Sequence, residues 1–95
     1  MDWDAGYVDV PSAGTAVRVN NTPQKVLWIR FKAETGTIYV GKSDVSSTNG
    51  WPVTTAANVD LTFDYGAQGG SVKMDTFYVD AASNGDNVSY AVIYG

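Results

Sequence analysis

The stretch Lys25–Ala33, KVLWIRFKA, decides the fold class, because apolar side chains recur at every second position along it. One face carries Leu27, Ile29 and Phe31. The other face carries Val26, Trp28, Arg30 and Lys32. A period of two residues is that of a β-strand with one buried face. Because the second face holds an aromatic ring and two cations, we expect it to look toward solvent or toward a partner.

Further short strands are predicted on both sides of this stretch, each rich in β-branched or aromatic residues. They cover residues 16–19, 38–41, 59–64, 76–80 and 88–94. Glu34–Thr37 is predicted to be a hairpin turn between the strands that flank it. The pattern predicts an all-β fold, a single antiparallel β-sandwich of about six or seven short strands. A jelly roll, an immunoglobulin-like sandwich and a small barrel all fit this spacing.

The first ten residues are acidic and lack a clear alternation. Pro11 follows them, and proline removes a donor from a β-ladder. We therefore divide the chain into residues 1–10, an N-terminal arm or edge strand, and residues 11–95, the β-sandwich domain. We expect Trp3 to lie in an arm that is disordered in the free protein and is ordered by a partner.

The composition excludes several kinds of site. The chain has 95 residues, with ten acidic and six basic residues and neither Cys nor His. Zinc fingers, iron–sulfur sites, disulfides and catalysis by a thiol or an imidazole are therefore excluded. The net charge of −4 argues against nucleic-acid binding, which needs clustered cations. No apolar run is long enough for a membrane span, and the acidic start does not resemble a secretory signal.

Two groups of carboxylates are candidates for a catalytic or a calcium-binding site. Asp60 and Asp64 alternate on one predicted strand, but nothing in the pattern indicates the cleft that paired catalytic carboxylates need. The segment 80–86 opens like a calcium-binding loop, yet Ala82 and Ala91 stand where ligands would be expected. An irregular calcium turn and a plain turn at Asn84-Gly85 both stay open. We expect no enzyme activity, no catalytic residue, no cofactor and no metal ligand.

The aromatic residues are the stronger functional signal, because three Trp and six Tyr exceed what a small core needs. Large aromatic side chains are enriched at protein interfaces. For Trp51, a core position under its loop and an interface position are equally favoured. Stacking of carbohydrate on exposed rings is the rival explanation for the surplus. The candidate interface residues are Trp3, Tyr7, Trp28, Arg30 and Trp51.

Three segments together resemble small virion proteins of tailed bacteriophages. Gly36–Val53 has a strand that ends in Tyr-Val-Gly, followed by a Ser-Thr-Asn-Gly loop and an apolar pair. Phe77–Ala81 matches a later aromatic-Tyr-Val-Asp-Ala strand, and Pro11–Val17 looks like the entry segment of these proteins. The resemblance covers roughly residues 11–94. It departs at Trp51, where an aliphatic or Tyr side chain is more usual.

The resemblance implies a non-enzymatic structural protein, and we expect a capsid decoration (cement) protein on the outer surface of the phage head. Its partner would be the major capsid protein, and its place of synthesis the cytoplasm of the bacterial host. Self-association is expected, with a trimer favoured over a dimer, because three copies at a three-fold position would make three contacts at once. We further expect the arm, residues 1–10, to reach a neighbouring subunit. Its removal is expected to weaken binding to the particle and to leave the fold intact.

The alternative is a tail, neck or fibre module of the virion, which could bind carbohydrate on the host surface. Such a module predicts exposed Trp and Tyr side chains in a groove near polar Asn and Asp. Copy number separates the two alternatives, since a decoration protein is present in many copies per particle and a tail part in few.

Overall fold

The computed structural model describes residues 2–56, 60–64 and 72–95. Within these ranges lie nine β-strands and one short 3-10 turn, Met74–Thr76. The strands are β1 Asp2–Asp9, β2 Val17–Arg18, β3 Lys25–Ala33, β4 Thr37–Gly41, β5 Trp51–Thr54, β6 Leu61–Asp64, β7 Val72–Lys73, β8 Tyr78–Ala81 and β9 Asn87–Tyr94. The predicted all-β fold class is confirmed. Of the strand predicted at 59–64, Val59 lies outside the described residues.

The described strands form two antiparallel sheets. In the five-stranded sheet the order is β1-β9-β3, and both β6 and β7 pair with the far side of β3. In the four-stranded sheet the order is β2-β8-β4-β5. In the described part of the chain, no helix is long and apolar enough to cross a membrane.

Both sheets contribute to one cluster of buried side chains. Ile29 and Phe31 of β3 and Val92 of β9 supply it from one sheet, and Ile38 of β4 and Val79 of β8 from the other. The alternation along each strand sends these residues to the inner face and their neighbours outward. This arrangement is compatible with the predicted β-sandwich.

A bulge in β3 changes the faces that the sequence predicts. Val26 lies opposite Tyr94 while Trp28 lies opposite Ile93, so Leu27 is an extra residue without a partner across the ladder. The extra residue reverses the alternation, and Val26 is fully buried. The prediction that Val26 shares an outer face with Trp28 is therefore wrong. Leu27, which was expected in the core, is only half-buried.

The predicted hairpin at Glu34–Thr37 is also wrong. β3 belongs to the five-stranded sheet and β4 to the four-stranded sheet, so this segment crosses from one sheet to the other. β3 cannot pair with β4, because β9 occupies one of its edges and β6 and β7 occupy the other. Gly36 has a φ of +64° at this crossing, and a Cβ there would collide with the carboxyl group of Asp86.

Residues 2–9 form an edge strand and not a disordered arm. β1 pairs with β9 along its whole length, from Asp2 opposite Tyr94 to Asp9 opposite Asn87. Val8 and Val10 reach the buried cluster. The expectation of a disordered arm around Trp3 is corrected, because its residues complete the ladder of a central strand. The sequence did not indicate this, since Asp2, Asp4 and Gly6 occupy the positions that share a face with Val8.

Candidate protein-interaction surface

The outer face of the five-stranded sheet brings two of the predicted tryptophans together. Trp3 of β1 and Trp28 of β3 both lie opposite Ile93 of β9, one on each side. Directly opposite side chains on one face of antiparallel strands are about 4.5–5.5 Å apart at Cβ. Trp3, Ile93 and Trp28 therefore form a continuous apolar row across three strands, which we call the tryptophan row.

The tryptophan row is accessible from outside the sheet. Trp3 is 72% exposed, whereas Trp28 and Ile93 are half-buried. A shallow depression of about 400 Å³ lies against all three side chains and against the neighbouring Ala91. The exposed indole of Trp3 can insert into a partner, and the depression beside it can accept an apolar side chain of that partner.

Two further rows continue this face away from the tryptophans. The next row contains mostly small side chains, and the one after it is polar. In order across the strands these rows are Ala5, Ala91, Arg30 and Thr62, and then Tyr7, Ser89 and Lys32. The face therefore changes from apolar at one end to polar at the other. Four of the five candidate interface residues lie on it: Trp3, Tyr7, Trp28 and Arg30.

Arg30 is paired within the chain. Its Nη2 donates to Oδ2 of Asp60 at 2.6 Å, and the Arg30 side chain is 52% exposed. An exposed pair of this kind contributes only about 0–1 kcal/mol to stability. Its effect on the surface is to neutralise the cation beside the tryptophan row and to hold the guanidinium against the sheet. The sequence did not indicate this pairing, because Arg30 lies in β3 and Asp60 directly precedes β6, and the order of these strands was open.

Trp51 lies apart from the other candidates. It begins β5, an edge strand of the four-stranded sheet, and it is 62% exposed. The interpretation of Trp51 as a core residue is therefore wrong. The strand itself was missed because Pro52 follows Trp51, and proline is tolerated at a sheet edge. Val53, the next residue in β5, is fully buried and fills the core position instead.

In segment 80–86, whose spacing resembles a calcium-binding loop, the first residue has a structural role. Asp80 is 2% exposed, and its Oδ1 accepts from the backbone N–H groups of Gly14 and Ala81 at 2.9 and 2.8 Å. Asn84 Oδ1 accepts from the N–H of Ala13 at 2.8 Å. These bonds fasten the segment before β2 to β8 and its turn. Among the described residues, no group of three or more acidic side chains is placed to hold a metal ion.

Sequence reasoning did not single out Ile93, Ala5 or Ala91 as part of the surface. The available signal was the alternation of β9, in which Ser89, Ala91 and Ile93 occupy the face opposite Val88 and Val92. An isoleucine on that face is what joins the two indoles. Recognising it required the order β1-β9-β3, which short strands of similar composition do not reveal.

Comparison of the chain with protein-family models, with curated proteins and with solved structures finds no match.

Proposed function

We propose that this chain is a non-enzymatic structural protein of a tailed-phage virion, and specifically a capsid decoration protein that binds the outer surface of the head. The observation that carries the proposal is the tryptophan row on the open face of the five-stranded sheet. The face is broad and lacks an enclosing cleft in the described part, as suits a partner with an extended surface.

The composition of the face supports a protein partner. Trp is enriched among the residues that dominate binding energy, above all where polar residues surround it and exclude water. Here the polar neighbours are Asp64, which lies opposite Trp28, and on one side of the tryptophan row Thr62 and the Arg30–Asp60 pair, with Lys32 and Ser89 one row further away. The major capsid protein is the proposed partner, and the resemblance of residues 11–94 to phage virion proteins is the reason for choosing it.

Self-association, with a trimer favoured, belongs to the same proposal. Three copies around a three-fold position would engage three equivalent sites, and weak contacts would then add up to firm attachment. Trp51 is the candidate for contacts between copies, because it is exposed on the sheet opposite to the tryptophan row. Assembly of this kind would take place in the cytoplasm of the bacterial host.

The location is tested by gold labelling of virions from the phage that encodes this chain. An antibody against the chain is expected to label the whole head. Label confined to the tail would reject decoration, and an absence of label would reject a virion role.

The surface is tested by rebinding the purified chain to heads that lack it. Trp3→Ala combined with Trp28→Ala is expected to lower occupancy at least tenfold, which corresponds to two lost aromatic anchors. Lys42→Ala, which removes an exposed side chain directly after β4 of the other sheet, is the control and is expected to leave occupancy unchanged. Equal occupancy by the double variant and the wild type would contradict the proposed surface.

The second candidate is a tail, neck or fibre module that binds carbohydrate on the host surface. The exposed Trp3 ring beside a depression with Asp2 in its wall is the observation that favours it, since sugars stack on such rings. Titration with host-surface glycans would quench or shift Trp fluorescence in the wild type and not in Trp3→Ala. The absence of any saturable change would remove this candidate.

A further inference from the structure

The free edge of β1 differs from the other edges of the two sheets. β2, β5 and β6 are edge strands of two to four residues, and β5 also contains Pro52. Short strands and prolines are common ways of protecting an edge from further pairing. β1 has eight residues and neither proline nor lysine, and in the described part of the chain no strand pairs with its outer side.

The backbone donors on this edge are identifiable from the hydrogen bonds. Val10 exchanges backbone bonds with Asp86 and Gly85, so the even-numbered residues point toward β9 and its preceding turn. The odd-numbered residues Trp3, Ala5 and Tyr7 therefore direct their N–H and C=O groups to the free edge. Three consecutive odd positions are enough to pair with an extended segment of about six residues.

Two of these donors are held by carboxylates of the same strand. The N–H of Trp3 donates to Oδ1 of Asp2 at 2.9 Å, and the N–H of Ala5 donates to Oδ1 of Asp4 at 2.8 Å. Both bonds join adjacent, exposed residues. An incoming strand can replace them with carbonyl oxygens, after which the two carboxylates are free to accept bonds from cations on that strand.

The charge of β1 selects the kind of strand that fits. The segment Asp2–Asp9 contains three Asp and no Lys or Arg. A second copy of β1 would add three more carboxylates without any counter-charge, so self-pairing is disfavoured. A strand with cations on the side of Asp2 and Asp4, and apolar residues on the side of Trp3 and Tyr7, would match both faces.

We propose that the free edge of β1 binds an extended segment of a partner protein as an added β-strand, and that this segment alternates basic and apolar residues. The added strand would extend the five-stranded sheet beside Trp3. This mode of recognition takes affinity from main-chain bonds and specificity from alternate side chains.

The test uses the whole chain and a fluorescent octapeptide of alternating Lys and Val, followed by fluorescence anisotropy. Saturable binding is expected. A Glu–Val octapeptide of the same length, and the Lys–Val peptide with every backbone amide N-methylated, are expected to bind at least tenfold more weakly. The second control keeps the charges and replaces each backbone N–H by N–CH3, so the peptide cannot donate backbone hydrogen bonds.

Ala5→Pro is the matched protein variant. It removes an N–H that points to the free edge and leaves the bonds to β9 in place, so folding is retained and peptide binding is expected to fall at least tenfold. Its circular dichroism and urea midpoint check the fold. Asp2→Lys combined with Asp4→Lys provides a second variant, which is expected to prefer the Glu–Val peptide.

Three results would overturn the proposal. They are no saturable binding of the Lys–Val peptide up to about 1 mM, equal binding of that peptide by a folded Ala5→Pro variant, and a wild-type dimer that Ala5→Pro converts to monomer. The last result would assign the edge to a second copy. Trp28→Ala is expected to leave peptide binding unchanged. Peptide binding at β1 and head binding through the tryptophan row can therefore be tested separately.

Discussion

At Tyr94 the chain buries a phenol hydroxyl that has no hydrogen-bond partner among the described residues. Burial raises the pKa of this phenol above its ordinary value of 10.0, and electrostatic interactions with Tyr90, Asp4 and Asp2 raise the pKa further. Tyr90, four residues earlier on the same face, differs in that its hydroxyl accepts from Nδ2 of Asn20 at 3.2 Å. Two tyrosines on one strand thus have opposite hydrogen-bonding status.

Tyr94→Phe is expected to raise the free energy of unfolding at pH 7 by about 1 kcal/mol, because it removes a buried hydroxyl without breaking a bond. Tyr90→Phe is the control and is expected to lower it by about 1 kcal/mol through the loss of the Asn20 bond. Urea unfolding measures both. A loss of stability in Tyr94→Phe equal to that in Tyr90→Phe would show that the Tyr94 hydroxyl has a partner.

The same phenol gives a pH dependence with a defined sign. A pKa that is higher in the folded state favours the neutral phenol, so its contribution is complete below the unfolded value near 10. It is lost as the pH rises from there through the folded pKa. Wild-type stability is therefore expected to fall more steeply above pH 10 than that of Tyr94→Phe.

Single residues were predictable from sequence where alternation alone decided their face. Trp28 and Arg30 followed the two-residue period and lie on the predicted outer face. Val26 did not, because the extra residue Leu27 forms a bulge, and neither glycine nor proline marks it. A bulge of this type depends on pairing with the partner strand β9, and the sequence of β3 alone does not predict that pairing.

Among the elements, β1 has one side that pairs within the fold and one side that is accessible. Its even residues pair with β9, and Val8 is nearly fully buried. Its odd residues face solvent or the free edge, with Trp3 and Tyr7 both largely exposed. The acidic composition hid the first property from the sequence, since β-propensity scales disfavour Asp in strands.

Removal of residues 2–9 is therefore expected to destabilise the fold, in contrast to the expectation for a separate arm. Burial of one valine is worth about 1.5–3 kcal/mol, and the ladder along β9 is lost as well. We expect the free energy of unfolding to fall by at least ~3 kcal/mol, measured by urea unfolding. Trp3→Ala and Tyr7→Ala keep the ladder and are expected to change it by less than ~0.5 kcal/mol. An unchanged urea midpoint in the truncated chain would contradict this assignment.

The connections between elements were harder to predict than the elements. The strands β3, β4 and β9 were found from their composition, and β9 spans Asn87–Tyr94, close to the predicted bounds. Glu34–Thr37 has the length of a hairpin turn, yet it links the two sheets. Turn length restricts a connection only when the two flanking strands have free edges to share, and β3 has none.

At the scale of the whole molecule, an aromatic cluster joins the two sheets. Phe31 of β3 and Phe63 of β6 belong to the five-stranded sheet, and Phe77 lies directly before β8 of the other. The ring centroid of Phe77 is 5.7 Å from that of Phe31 and also 5.7 Å from that of Phe63. Because aromatic pairs add to area burial, this cluster is expected to make the two sheets unfold together.

Single-tryptophan variants can measure whether the sheets unfold together. Trp3→Phe with Trp28→Phe leaves Trp51 as a reporter on the four-stranded sheet, and Trp3→Phe with Trp51→Phe leaves Trp28 on the other. Their urea midpoints are expected to coincide, as in a two-state domain. Adding Phe77→Ala is expected to lower the free energy of unfolding by about 3–5 kcal/mol with both reporters alike. A shift seen by Trp51 alone would mean that the four-stranded sheet unfolds by itself and that the shared cluster does not bind the two sheets into one unit.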